Sequence, residues 1–372
     1  MYFIEIMTVT LGVLYLGYVV FERLYFIKIR KSFKHVIHVN GTRGKSTTAR
    51  LIDAGLRECG YRVFSKTTGT IPTMINTSNQ EVEIKRYGLA NIREQYKMMA
   101  KAYREKAEIL VIECMAVNPE LQYLTQHRML NADITIITNV LLDHIGDMGS
   151  NRDEIADALA NTIPRQGYLV IADEEYYKKY SRRIGNDEVK IVVAEDKFHE
   201  DQLATYKNNL NLAWAITDIL SLDKDRYLKG MKKYYRDPGA FKIFRLENTV
   251  FLNAFSVNDP TSTYKVYQDV IQKFTADKIT ILLNTRNDRP TRTIQSLHLL
   301  GDLTFKKLLI CGSNKPYVKR FIRKHYPKMV VEEVKKIEDL QKEEVIFGIG
   351  NLQGMGLKIL QYFEKNGVQY DD

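Results

Sequence analysis

The sequence predicts an α/β protein with an apolar N-terminal helix, a central domain built on a parallel sheet, and a smaller C-terminal α/β domain. Three observations carry this. Apolar runs of strand length recur along the chain, and they are continuous rather than alternating, as strands buried on both faces must be. Helical patterns separate these runs, so successive strands connect through crossovers and lie parallel. The first run, HVIHVN (35–40), leads directly into a Gly-Lys-Ser loop and then into good helix formers, TTARLIDAGLREC.

Taken in order, the chain starts with Ile6 to Phe21, 16 uncharged and mostly apolar residues. Adding Tyr2 to Ile4 brings the stretch close to bilayer-spanning length. Five basic residues follow in ERLYFIKIRKSFK, a flank that keeps its side cytoplasmic. The expectation is a single-pass cell-membrane anchor with a short outer N-terminus and the catalytic domains inside. A cleaved signal peptide would need a basic start and a small-residue cleavage site, both absent, and a buried core helix fits poorly before a basic run. A shallower interfacial helix is the remaining alternative.

The central strands are HVIHVN, EILVIE (108–113), ITIITN (134–139), YLVIA (168–172) and KIVVA (190–194). After the turn-like RDPGA (236–240) a second series begins: VFLNAF (250–255), ITILLN (279–284), KLLICG (307–312) and EVIFGIG (344–350). The expected domains are an anchor and basic juxtamembrane segment (1–32), a central ATP-binding domain (33–240) and a C-terminal α/β domain (247–372).

Composition narrows the partners. The 372 residues carry 55 Lys and Arg against 45 Asp and Glu, a net charge of +10, and 45% are hydrophobic, which excludes a disordered chain. Residues 1–50 hold eight basic and two acidic side chains, so six of the ten net charges sit there. The remainder has neither a basic helix nor a basic stripe interleaved with aromatics, so no nucleic-acid partner is expected. Three widely spaced cysteines, Cys59, Cys114 and Cys311, encode no disulfide framework or paired-cysteine zinc site.

The loop Gly41-Thr42-Arg43-Gly44-Lys45-Ser46-Thr47 has the context of a phosphate-binding loop. Glycines let backbone N–H groups close round phosphate oxygens, Lys45 supplies charge to the β- and γ-phosphates, and the Ser46 or Thr47 hydroxyl can ligate Mg²⁺. Its spacing, Gly-x-x-Gly-Lys-Ser, is shorter than the usual loop.

That shortened loop resembles the one of the Mur ligase superfamily, ATP-dependent amide ligases that include the muramyl peptide ligases and folylpolyglutamate synthase. The resemblance implies a Mur-ligase-like central P-loop ATPase domain and a Rossmann-like C-terminal domain. It also implies that Glu113, ending EILVIE, and His144, in NVLLDH, serve the metal. Asn209 is similar to the asparagine near the adenine, with Asn208 and Asn211 leaving the register open, and Asp259, in SVNDPTST, to the acid that takes the ribose hydroxyls. Many members carry a carbamylated lysine in the central domain, yet no lysine lies between Lys106 and Lys178 here. Water, or a carboxylate such as Asp143, Asp147 or Glu154, would then serve a second metal, or only one metal binds tightly.

VNGTRGKST directly after an apolar helix, SKTTGT (65–70), IECMAVNPE (112–120), NVLLDHIGDMG (140–149), RDPGA, NTRNDRPTRT (284–293) and GIGNLQG (348–354) resemble more closely the ligase subunits of bacterial poly-γ-glutamate synthases, the PgsB/CapB type. Lys66, Thr67 and Thr68 are expected in a hydroxyl-rich turn where Thr68 completes the Mg²⁺ shell or caps the turn. Arg286, Arg289 and Arg292, at three-residue spacing, are expected on one side of a helical turn. There they would suit a glutamate carboxylate or the polyanionic product, or simply be solvated. GIGNLQG resembles an anion-binding glycine loop.

The resemblance implies capsule or polymer biosynthesis with ATP and Mg²⁺ as cofactors: a glutamyl γ-carboxylate becomes an acyl phosphate, and the amine of another glutamate displaces the phosphate. Lys45, Glu113 and His144 are the expected catalytic residues. The expected partners are glutamate and the poly-γ-glutamate chain, the membrane, and multispanning and anchored subunits of a synthase and export complex. A folylpolyglutamate-synthase-like ligase and a membrane-tethered P-loop ATPase or capsule tyrosine kinase are the alternatives.

Overall fold

The computed structural model describes every residue except 1, 70, 87, 144, 186–187, 199–207, 238, 258–259, 289 and 371–372. His144, Asp259 and Arg289 therefore lie outside the described residues. The chain divides into two units, Met1–Arg236 and Asp237–Asp372.

The first unit opens with helix α1 (Tyr2–Ser32), which is long and apolar enough to cross a membrane. It is one continuous helix through the basic segment, since nothing between Phe21 and Ser32 breaks it: no proline, no glycine. Then come β1 (His35–Asn40), α2 (Lys45–Glu58), β2 (Val63–Thr67), β3 (Thr73–Ile75), β4 (Glu81–Glu83), α3 (Glu94–Arg104), β5 (Ile109–Glu113), β6 (Ile134–Ile137), β7 (Gly167–Ile171) and β8 (Val189–Val193). The sheet order is β4-β3-β2-β5-β1-β6-β7-β8. From β2 to β8 all neighbours are parallel; β3 and β4 add antiparallel at one edge. The sheet is thus parallel as expected except for this hairpin, whose three-residue strands are too short to carry an apolar-run signal. Ile37, Val39, Val111, Ile134 and Ile136 pack with Leu51, Ile52 and Leu56 of α2 on one face, and Val36, Leu110 and Ile112 pack with Ile29, Met98 and Met99 on the other.

The second unit has β9 (Lys242–Leu246), β10 (Thr249–Asn253), β11 (Ile279–Thr285), β12 (Lys307–Gly312), β13 (Val331–Glu333), β14 (Val345–Gly350) and β15 (Val368–Tyr370), ordered β13-β12-β11-β14-β10-β9-β15. Five strands are parallel; β9 is antiparallel to both of its neighbours. A two-residue turn, Glu247 and Asn248, joins β9 to β10, with Glu247 at φ 53°. So short a connection can only make a hairpin.

Candidate active site

In a parallel sheet every strand delivers its carboxyl end to the same edge, and in this one β1 lies between β5 and β6. The loops after β1, β2, β5 and β6 therefore meet. Asn40 ends β1 fully buried, its amide donating to Gln122 Oε1 (2.8 Å) and Thr162 Oγ1 (3.1 Å). Beyond it the chain turns at Gly41 (φ 127°), where a Cβ would stand 2.1 Å from Thr138 Oγ1. Gly44 (φ 80°) caps α2, and a Cβ there would lie 2.3 Å from Asn209 Oδ1. Both positions need glycine, for conformation and for space.

The loop is clamped from β6. Thr42 Oγ1 donates to Asn139 Oδ1 (2.6 Å), which also accepts the Arg43 N–H (3.0 Å). Asn139 Nδ2 and Thr138 Oγ1 donate to Arg43 O at 3.0 and 2.6 Å, and the Arg43 side chain pairs with Asp143 at 3.1 Å. Lys45 Nζ donates back to Gly41 O (2.6 Å) and Thr42 O (3.2 Å). An ammonium group resting on its own loop's carbonyls is a cation already placed where phosphate charge would arrive. Ser46 and Thr47 occupy the first turn of α2, which has no acidic residue there, so the positive end of the helix is uncompensated.

Glu113 ends β5 nearly fully buried, and its Oε2 accepts both Ser46 Oγ (2.8 Å) and the Thr68 N–H (2.5 Å). The structure thus brings together three of the four residues singled out for metal. Hard oxygen donors, one of them an anionic carboxylate, suit a divalent cation. Among the described residues no group of three or more His, Cys, Asp or Glu side chains could hold a metal. Of the carboxylates considered for a second metal, Asp143 is engaged by Arg43 and Glu154 folds onto the Ser150 N–H (2.6 Å) and Asn151 Nδ2 (2.9 Å).

Asn209 lies in the helix Asn208–Trp214, nearly fully buried against Gly44, and neither its Oδ1 nor its Nδ2 has a hydrogen-bond partner. A buried amide with both ends idle is costly and marks a site completed by something else. Asn211, by contrast, is spent locally, accepting the N–H groups of Lys197 (3.0 Å) and Phe198 (3.1 Å) and donating to Asp196 (3.1 Å).

Two expectations change. Lys66 and Thr67 belong to β2 itself rather than to the turn after it, because the strand continues as long as it pairs with β5 and β3. Lys66 is fully buried, with Nζ 2.9 Å from Glu94 Oε1, 3.0 Å from Gln95 Oε1 and 3.4 Å from Met115 Sδ. Arg86 grips the same carboxylate at 2.7 and 2.8 Å. Burial pushes the Glu94 carboxyl up, but the two cations outweigh it and hold it at about 2, while burial lowers the Lys66 ammonium. Gln95 Nε2 donates to Glu113 O (3.3 Å), so this buried cluster stands directly behind the carboxylate strand.

The second change concerns the arginines. Pro290 begins the helix Pro290–Leu299, as proline does at a first turn, so Arg286 precedes it and shares no helical face with Arg292. Arg286 forms a fork with Asp288 (2.8 and 2.5 Å), and Arg292 Nη1 meets Asn351 Oδ1 at 3.2 Å. In GIGNLQG, Gly350 (φ 97°) serves close packing, since its Cβ would meet Asn284 O at 2.4 Å. Residues the motif reading missed are Thr138 and Asn139, which clamp the loop, and Arg50. The last is fully buried on α2, with Nη2 2.7 Å from Thr73 Oγ1 and 2.5 Å from Glu81 Oε1, and Nη1 3.1 Å from Tyr235 O. The doublet Thr138-Asn139 at the end of an apolar strand was the available signal.

Comparison with known proteins assigns this architecture. A protein of Bacillus subtilis (strain 168) described as PGA synthase CapB is 34% identical over 357 residues, covering 90% of this chain and 91% of that one. The chain belongs to the CapB family, within the Mur ligase superfamily. The capsule biosynthesis protein CapB of Bacillus anthracis is 32% identical over 90% of this chain and 76% of its own length. The Mur ligase middle domain matches residues 39–225, and the poly-gamma-glutamate synthase CapB C-terminal domain matches 240–366. Among solved structures, Mycobacterium tuberculosis folylpolyglutamate synthase complexed with ADP aligns with a TM-score of 0.67 at 14% identity, over 92% of this chain and 93% of that one. The CapB-family chain thus carries the fold of that ligase.

Proposed function

We propose that this chain is an ATP-dependent ligase that joins glutamate through its γ-carboxyl group into poly-γ-glutamate, releasing ADP and phosphate. The observation that carries it is the meeting of Ser46, Thr68 and Glu113 beside a clamped Gly-Lys-Ser loop, in a chain of the CapB family.

The chemistry follows from the acceptor. A carboxylate has no leaving group, so its γ-oxygen first attacks the terminal phosphorus of ATP, giving ADP and a γ-glutamyl phosphate. The amine of a second glutamate then attacks the γ-carbonyl carbon, the C–O bond to phosphate breaks, and the amine loses a proton. The N–H groups at the start of α2 and the Lys45 ammonium hold the phosphates and neutralise their charge, and Asn139 and Thr138 keep the loop in shape. Ser46 and Glu113, with Thr68 and His144 by resemblance, would hold Mg²⁺. When bound, that ion supplies Lewis-acid screening of the transferring phosphoryl group. Asn209 has a free donor and acceptor for the adenine, Asp259 is assigned to the ribose, and Arg286, Arg289 and Arg292 to glutamate or polymer carboxylates. Helix α1 crosses the cell membrane once with both units cytoplasmic, in a complex with multispanning and anchored subunits.

The test is glutamate-dependent ADP release, with detection of γ-linked polymer, by membranes containing the chain with and without its partner subunits, and Lys45→Ala as control. ATPase activity indifferent to glutamate sinks the proposal. The folylpolyglutamate synthase fold favours one other reading, and glutamylated folate as the product would establish it instead.

A further inference from the structure

Helix α1 does not end where its apolar run ends. Its inner part lies on the first unit: Phe26 stacks on Tyr96 with 3.9 Å between ring centroids, Ile29 is fully buried, and Arg30 Nη2 is 2.7 Å from Asp133 Oδ1. Further out, Glu22, the first charged residue after the run, pairs with Arg93. The two contact pairs advance together, Glu22 with Arg93 and Phe26 with Tyr96, so α3 runs parallel to α1. The N-terminal end of α3 therefore points the way the apolar run lies. Glu22 closes the uncharged run, and Arg30 lies eight residues, about 12 Å of helix, further in.

The chain that enters α3 at its N-terminal end runs through the described residues 84–86 and 88–93. Lys85, Gly88, Leu89, Ala90, Asn91 and Arg93 are all exposed in it, and Leu89 is 99% exposed, the largest value for any big apolar side chain among the described residues. One exposed leucine is ordinary on a protein surface. This one lies four residues before Arg93, whose partner Glu22 closes the apolar run of α1, and between Lys85 and Arg93 in sequence, while Arg23, Lys28 and Lys31 are exposed on α1 itself. A fully exposed leucine flanked in sequence by cations, next to the inner end of an apolar helix, is the pattern of an interfacial contact with an anionic bilayer.

We propose that residues 88–93, with Lys85, form a second membrane contact, with Leu89 entering the headgroup boundary of an anionic bilayer and Lys85, like the basic residues of α1, at its phosphates. It rests on the reading of α1 as a membrane span. The first unit is then held against the lipid at two points.

The test uses the full chain with Cys59→Ser, which leaves only the buried Cys114 and Cys311, in nanodiscs of mixed phosphatidylcholine and phosphatidylglycerol. A nitroxide is placed in turn at Leu89→Cys, at Val13→Cys within the apolar run, and at the exposed Glu83→Cys of β4. The ratio of collisions with oxygen to collisions with a water-soluble nickel chelate is expected to be several-fold higher at 89 than at 83, approaching the value at 13, and to fall when phosphatidylglycerol is left out. A label at 89 as aqueous as the one at 83, with the label at 13 in lipid, overturns the second contact and leaves the anchor standing. Shielding of 89 from both reagents means protein covers it, and also overturns the proposal. An aqueous label at 13 removes the anchor and this contact together.

Discussion

Replacing Glu94 by Gln keeps the side chain's shape and removes the one carboxylate that faces the buried Lys66 ammonium at 2.9 Å. What still bonds Nζ is neutral, Gln95 Oε1 at 3.0 Å and Met115 Sδ at 3.4 Å, while the Glu113 carboxylate acts on it from beyond ion-pair distance and the Arg86 cation, which loses the same partner, opposes it. Breaking a buried ion pair from one side costs about 3–5 kcal/mol. The fall of the Glu94 carboxyl from 4.5 to about 2 corresponds to about 3 kcal/mol, the same range. For a unit of this size one kcal/mol moves the midpoint by roughly 2–4 °C, so Glu94→Gln is expected to lower it by about 10 °C. The chain's single tryptophan, Trp214, packs against the core of the first unit, so its fluorescence during heating in detergent reports this transition alone. Adding Lys66→Met removes the fully buried stranded cation, leaving the partly exposed Arg86, and is expected to restore part of the loss. The pH dependence has a definite sign. A carboxyl lowered in the folded state stabilises fully above about 4.5, and that contribution disappears as pH falls towards 2. The variant should lack this acid limb. A single variant within about 2 °C of the parent, or a double variant less stable than Glu94→Gln, refutes the reasoning.

Four further outcomes are expected. Lys45→Ala should reduce glutamate-dependent ADP release by at least about 100-fold while the Trp214 transition stays put, because Lys45 bonds only to carbonyls of its own loop. Asn209→Leu should weaken nucleotide binding about tenfold by titration calorimetry with no loss of thermal stability, since its amide has no partner to lose. Gly44→Ala drives a Cβ to 2.3 Å from Asn209 Oδ1; it should impair binding and stability together, and Asn209→Ala in the same chain should relieve part of the stability loss. Burial lowers the fully buried His38 to about 4 from 6.5, so the neutral ring's stabilisation is complete above about 6.5 and is lost as pH falls to 4; His38→Gln should flatten the Trp214 midpoint over that window.

Much of the fold was legible because long apolar strands announce themselves: β1 and β12 fall where the sequence predicts them, β5, β7, β8, β11 and β14 differ by a residue at one or both ends, and β6 and β10 stop two residues early. The hairpin β3-β4 and the strand β9 were not, because three-residue or half-polar strands owe their existence to a neighbour's free edge. At the site, the loop and Glu113 were readable from local context. The Asn139 clamp joins residues 96 and 97 apart in sequence, a distance over which spacing carries no information. Lys66 looked like a turn lysine because its charge suggests solvent, and only the packing of α3 against the sheet shows that it is paired inside. The arginine triplet misled through its own periodicity: regular spacing implies a helical face only where a helix exists, and Pro290 starts that helix too late.

Asp133 sits at a joint that matters for handling this protein. Only Phe33 and Lys34 separate α1 from β1, and the Asp133 carboxylate takes Arg30 on one side and the His35 ring (2.7 Å) and the Val36 N–H (2.7 Å) on the other. The helix is thus not a detachable handle in front of an independent domain. A truncation starting at His35 would strip Ile29 and Phe33 from the cluster around Met98, Met99 and Leu110, and leave that apolar face open to aggregation. A truncation starting at Arg23 would keep every α1 side chain that this cluster buries while discarding the outer turns, and is the version to purify without detergent.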